Sequence, residues 1–198
     1  MALALVKEDG TGKPDANSYA DVADGDAYHD GHLYATAWTG AAADRKAAAL
    51  VMATRLIDSQ FQFNGSRTSV EQALQWPRAE CRDPDMGLVT LSVLLPILSD
   101  FVPYDRVPAA VVQATCEMAR ELLVADRTAS PPGEGIDTTT TAHSSHAATG
   151  TGSTSDSSTT KYSKSDTRPI ISPVAQAMLA KFGSLTCGSS GVARLIRA

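Results

Sequence analysis

A mainly α fold, a small helical bundle with short β elements and an extended Ser/Thr-rich arm or hairpin, is predicted by three observations on this 198-residue chain. Apolar residues recur at helical spacing in two long stretches, Ala47 to Phe61 and Val111 to Leu122. Gly- and Pro-containing turns cut the rest of the chain into short pieces. Between Ile136 and Tyr162 no Val, Ile, Leu, Met, Phe, Tyr or Trp occurs. That segment has too little apolar surface to offset its ordering entropy alone, so the core must come from elsewhere. The predicted division is a helical domain over 1–127, the arm or hairpin over 128–168, and a short helix with a strand or tail over 169–198.

Ala2 to Val6 reads as a short strand, ended by the turn-rich Asp9-Gly10-Thr11-Gly12-Lys13-Pro14-Asp15. Gly12-Lys13 invites comparison with a phosphate loop, but Pro14 stands where Ser or Thr is required and the upstream glycine spacing is absent. Asp21 is placed to cap a first helix from about Val22 to Asp30, with Asp24 suiting the positive end of the helix dipole and Gly31 stopping it. A second helix is expected after Thr39, with Trp38 just outside it. It runs to about Gln60, with Ala47, Leu50, Thr54, Ile57 and Phe61 on one face.

Phe61 to Arg78, FQFNGSRTSVEQALQWPR, then forms an elbow: two aromatics at alternate positions, a polar turn, a short helix-like piece and a Trp-Pro-Arg stop. Val89 to Val102 is apolar but broken by Pro96, and reads as a loop with a short helical turn. Pro108 opens a third helix with Val111, Ala114, Thr115, Met118 and Leu122 on one side, ending near Asp126. Ser172-Pro173 opens a short helix through Phe182, and Val192 to Arg197 alternates enough for a final strand. The predicted core is Trp38, Leu50, Ile57, Phe61, Trp76, Met118 and Leu122.

The formal charge is -5, and the 17 lysines and arginines form no run. A phosphate-neutralising protein needs a concentrated basic surface, so the bulk charge counts against nucleic acid unless folding gathers a local patch. Cys81, Cys116 and Cys187 are far apart and odd in number, suggesting neither a zinc site nor a disulfide framework. The brief apolar run MALALV before Lys7-Glu8-Asp9 is too short for a signal peptide or a spanning helix, so no membrane partner is expected.

No catalytic, cofactor or metal site is expected. His29 with His32, and His143 with His146, are spaced as HxxH, but no Cys or carboxylate cluster accompanies them. Cys116 sits within the apolar pattern of the third helix, where a thiol acts as a small hydrophobe. Trp76-Pro77-Arg78 could be a base-stacking platform, since aromatics beside Arg bind single strands. The competing reading, which we favour, puts Trp76 in the core.

The N-terminal EDGTGKPDANSYADVADGDAYH (Glu8 to His29), together with Arg67-Thr68-Ser69, Gln72-Ala73-Leu74 and Trp76-Pro77-Arg78, resembles a group of tailed-phage proteins labelled DnaT-like single-stranded DNA-binding proteins. The likeness covers about 1–126 and 169–198 and includes the helix from Val107 and the ending GVARLIRA. Thr90 to Arg106 and Thr128 to Ser165 depart from the group's pattern. The group is in turn similar to head-to-tail connectors. That likeness implies a structural virion protein, made in the host cytoplasm and located at the head-tail interface. It would form an oligomeric, dodecameric ring between the portal protein and a tail terminator or stopper, with DNA passing through its lumen unbound. Arg67, Arg78, Ile170, Ile171, Arg194 and Arg197 become candidates for subunit or portal contacts. The acidic chain suits a lumen along which DNA slides, so the adaptor is the leading expectation. A single-stranded DNA-binding protein of phage replication is the alternative, and a small enzyme a third possibility.

Overall fold

The computed structural model describes residues 3–83, 101–129, 138–146, 153–161 and 169–186. The fold is mainly α with short antiparallel strands. The chain divides into two compact units, 1–127 with 171–198, and 128–170.

In the first unit, α1 (Val22–Asp30) is fixed at its start by a reciprocal cap. Asp21 Oδ1 accepts from Asp24 N and Asp24 Oδ2 accepts from Asp21 N, both at 2.9 Å. A short helix that was not expected, α2 (Thr36–Thr39), contains Trp38, and the helix expected after Thr39 follows as α3 (Ala43–Gln60). Gly40 closes α2 with its N–H on Thr36 and Trp38 carbonyls, and Ala42 is extended before α3 starts. The break lets the Trp38 indole lie flat on α1, where a Cβ on Gly25 would meet its ring at 2.2 Å. Trp38 Nε1 donates to Asp26 Oδ1 at 2.8 Å, and Lys46 Nζ sits 2.7 Å from the same oxygen.

α3 buries Leu50, Val51, Ala53, Thr54 and Ile57 against α4 (Ala109–Val124), which begins after Pro108 and also contacts α1, α2 and α5 (Pro173–Leu179). Ser172 caps α5 through Ala175 N at 3.2 Å, with Pro173 in the first turn, where a missing N–H costs nothing. The helix ends at Leu179, three residues short of the expected Phe182, and the chain turns into β6 (Gly183–Leu185). β6 pairs antiparallel with β1 (Phe61–Phe63), Phe61 opposite Leu185 and Phe63 opposite Gly183. β2 (Ser66–Arg67) pairs with β3 (Arg78–Ala79), closing the elbow.

Trp38, Leu50, Ile57, Trp76 and Met118 have no exposed surface and Phe61 is nearly buried, whereas Leu122 is half-buried at the margin. Trp76 is the hub of the core: Phe63 and Phe182 meet its ring edge-on, with centroids at 5.5 and 5.7 Å. Among the described residues the N-terminal stretch forms no strand of its own, only a parallel bridge from Lys7 to Ser18. The loop expected over Val89 to Val102 and the strand over Val192 to Arg197 fall mostly or wholly outside the described residues.

The second unit holds an antiparallel pair, β4 (Thr138–His146) and β5 (Ser153–Lys161), in register from Thr138 opposite Lys161 to His146 opposite Ser153. Thr and Ser suit a pleated strand although they supply no core. Among the described residues, no helix is long and apolar enough to cross a membrane.

Candidate nucleic-acid interface

The EDGTGK segment is a tight loop wrapped around one buried carboxylate. Glu8 is 1% exposed; its Oε1 accepts from Gly10 N and Gly12 N at 2.9 Å each, and its Oε2 from Lys13 N at 2.8 Å. Gly10 and Gly12 have φ of +103° and +75°, which glycine adopts without steric cost. The N–H groups that would cradle a phosphate already hold this internal anion, so Gly12-Lys13 is no phosphate loop. Sequence reading missed Glu8 as the organiser; its signal was an acid placed just before Gly-Thr-Gly.

The loop is in turn pressed against two neighbours. A Cβ on Gly10 would lie 2.1 Å from the Asp105 carbonyl, and Ala73 N donates to Lys13 O at 3.1 Å. Tyr104 is 69% exposed beside it. Arg106 Nε stands 3.5 Å from Asp105 Oδ1, both side chains about two-thirds exposed. Such a solvated pair is worth about 0–1 kcal/mol, so its guanidinium exchanges readily for another anion.

The elbow holds its backbone with side chains. No helix forms over Ser69 to Gln75, because Gln72 takes the backbone groups instead. Its Oε1 accepts from Ser69 N at 2.9 Å and its Nε2 donates to Leu74 O and Pro77 O at 2.8 and 3.1 Å. A second clamp joins the elbow to α3: Tyr19 Oη donates to Asp58 Oδ1 at 2.5 Å and accepts from Gln75 N and Trp76 N, while Asp58 Oδ2 accepts from Gln75 N at 3.0 Å. Burial pushes the Asp58 carboxyl up to about 6, against the pull of these hydrogen bonds and of the Arg78 and Arg67 charges. Burial likewise raises the Tyr19 hydroxyl well above its usual range.

The Trp-Pro-Arg triplet offers no stacking platform. Trp76 is fully buried and Arg78 is 7% exposed. The Arg78 guanidinium donates to the carbonyls of Asn64, Gly65 and Gln75 at 2.8, 2.6 and 3.1 Å. Arg67 is exposed, with its Nη1 on Gln72 O at 3.2 Å. Ile171 is buried and Ile170 half-buried, whereas Arg194 and Arg197 lie outside the described residues.

Most other cations are engaged within the chain. Lys7 pairs with Asp21 and Asp24, Lys13 with Asp9, Arg120 with Glu117 and Glu121, and Arg127 with Glu121. Arg45 and Arg55 on α3 are exposed and make no ion pair or hydrogen bond among the described residues. His29 is buried with Nε2 3.2 Å from Cys116 O, and His32 lies 3.7 Å from Glu117. Among the described residues no group of three His, Cys, Asp or Glu could hold a metal ion. Burial pushes the Cys116 thiol up to about 12, as expected of a packed side chain. The side chains of His143 and His146, and all of Cys187, lie outside what is described.

No curated protein and no solved structure matches the chain. A family model does, and it overturns the head-to-tail adaptor, with its dodecameric ring, portal and stopper partners and unbound DNA: the model describes single-stranded DNA binding. The adaptor expectation rested on the group's likeness to head-to-tail connectors and on net charge, which averages over paired and unpaired cations alike, whereas DNA contact depends on the local remainder. The match runs over residues 3–198, and the chain belongs to the family described as "Putative DnaT-like ssDNA binding protein".

Proposed function

We propose that this protein binds single-stranded DNA and catalyses no reaction on it. The observation that carries the reading is the family match across residues 3–198. Two features of the fold support it physically. Tyr104, on a loop against which Gly10 packs, is exposed and stands two residues before the loosely paired Arg106 in the sequence. An aromatic face next to a cation is what a base of any sequence stacks on. The free arginines of α3 supply positive charge that the acidic chain does not neutralise internally.

With so few unpaired cations among the described residues, binding is expected to be moderate, insensitive to sequence and dependent on salt. Fluorescence anisotropy of a labelled oligothymidine, titrated with the full chain at several salt concentrations, tests it. Saturable binding that weakens as salt rises is expected; flat anisotropy at the lowest salt would refute the reading. Replacing Tyr104 by Ala should weaken binding by about 1–3 kcal/mol if one base stacks there.

A further inference from the structure

We infer that the outer face of α3, carrying Arg45, Met52 and Arg55, is the track on which the phosphate backbone of a single strand lies. The inference rests on the single-stranded DNA reading above and assigns it a surface.

Pairing is the first ground. Every other lysine or arginine whose side chain is described has an ion pair, hydrogen bond or other polar contact within the chain, and Arg45 and Arg55 have none among the described residues. In a chain with net charge -5, two cations on one helix without any polar partner among the described residues stand apart from the other described cations. A paired arginine must give up its carboxylate before it can take a phosphate; these two give up only water.

Placement is the second. At 100° per residue Arg55 lies about 80° around the helix from Arg45, with Met52 between them, and the ten-residue step spans about 15 Å, a length that covers several phosphates of one strand. The stripe is exposed throughout: Ala48 and Ser59 lie along it, and Met52 is 37% exposed. The opposite face, with Leu50, Ala53 and Ile57, is buried in the core, so the stripe is held on a rigid element. Met52 gives the track a soft apolar spot against which a sugar or base can rest.

Acid placement is the third. α3 carries two acids. Asp58 is turned to the elbow, bound by Tyr19 Oη and Gln75 N. Asp44 is in the first turn, where it complements the positive helix end; it lies about 20° around the helix from Arg55 but about 16 Å away along the axis. Between Arg45 and Arg55 the helix therefore carries no acid.

The test uses the full chain, a labelled oligothymidine, and the double variant Arg45→Ala/Arg55→Ala beside Lys181→Ala, a cation paired with Asp83. For single strands each lost phosphate contact removes about 0.7 from the slope of log K against log salt, so the double variant should lower it by about 1.4. Its affinity at low salt should fall at least about tenfold, while its melting temperature and the Lys181→Ala titration stay at wild-type values. The conservative Arg45→Lys/Arg55→Lys variant should restore most of the slope, because a lysine also neutralises a phosphate. If the wild type binds and the double variant binds equally with the same slope, the track is elsewhere and only the broader reading stands. If duplex DNA displaces the oligomer as well as a single strand does, the assignment of a single strand to this face is overturned. If the wild type does not bind, the functional reading falls and takes the track with it.

Discussion

Asp58 shows how one carboxyl couples the elbow to α3. Its folded value of about 6 stands above the ordinary 3.8 because burial outweighs the hydrogen bonds from Tyr19 and Gln75 and the charges of Arg78 and Arg67. The folded state therefore holds this proton more tightly than the unfolded one. The stability it contributes is complete below about pH 4 and is lost as pH rises through about 6, on the order of 3 kcal/mol in all. His29 works the other way, since burial lowers its value below the ordinary 6.5 and opposes folding at acid pH. Replacing Asp58 by Asn keeps an acceptor for the Tyr19 hydroxyl and removes the titration. Thermal melts between pH 4 and 6 should then lose the decline with rising pH; an unchanged profile would assign it to another group. Glu8 is the second residue of this kind. Substitution by Ala strands three backbone N–H groups in a buried loop, and we expect a loss on the order of 3 kcal/mol by chemical denaturation.

At the scale of elements, the helices were legible wherever apolar spacing alone decided them. α1 with its Asp21 cap, α3 and α4 follow from periodicity and capping residues that need no distant partner. The miss at the elbow has a physical cause, which is that a side-chain contact overrode a local preference. Ser69 to Gln75 has helix-forming residues, yet the Gln72 side chain satisfies the backbone from within the loop, and no spacing rule announces that. α2 was missed because its four residues are too few for a periodic pattern; its place follows from Trp38 packing on Gly25. The elbow's aromatics divide by burial. Trp76→Ala should cost about 3–5 kcal/mol of stability, as truncation of a packed aromatic does. Tyr104→Ala should leave stability within about 0.5 kcal/mol. The reverse ranking in melting experiments would contradict the placement of Trp76 at the hub of the core.

Across the first unit, the C-terminal segment is tied to the elbow by β6 pairing with β1, with Gly183 against the Gln62 carbonyl, where a Cβ would stand at 2.3 Å. Sequence pattern showed a C-terminal helix but not that the next residues return to the elbow, since register across more than a hundred residues leaves no local trace. The candidate interface was still less legible. Arg45 and Arg55 looked like ordinary polar-face residues, and what sets them apart is the pairing of the other cations, which only the folded arrangement shows. Net charge pointed away from nucleic acid for the same reason. It counts paired and unpaired groups alike, whereas a phosphate meets only what remains free. The central claim, that an acidic helical protein binds single-stranded DNA through a small set of free cations, is tested most directly by oligothymidine anisotropy across a salt series. The account predicts saturable binding with a shallow negative salt slope, set by a few phosphate contacts. No binding at low salt, or binding that is indifferent to salt, would contradict it.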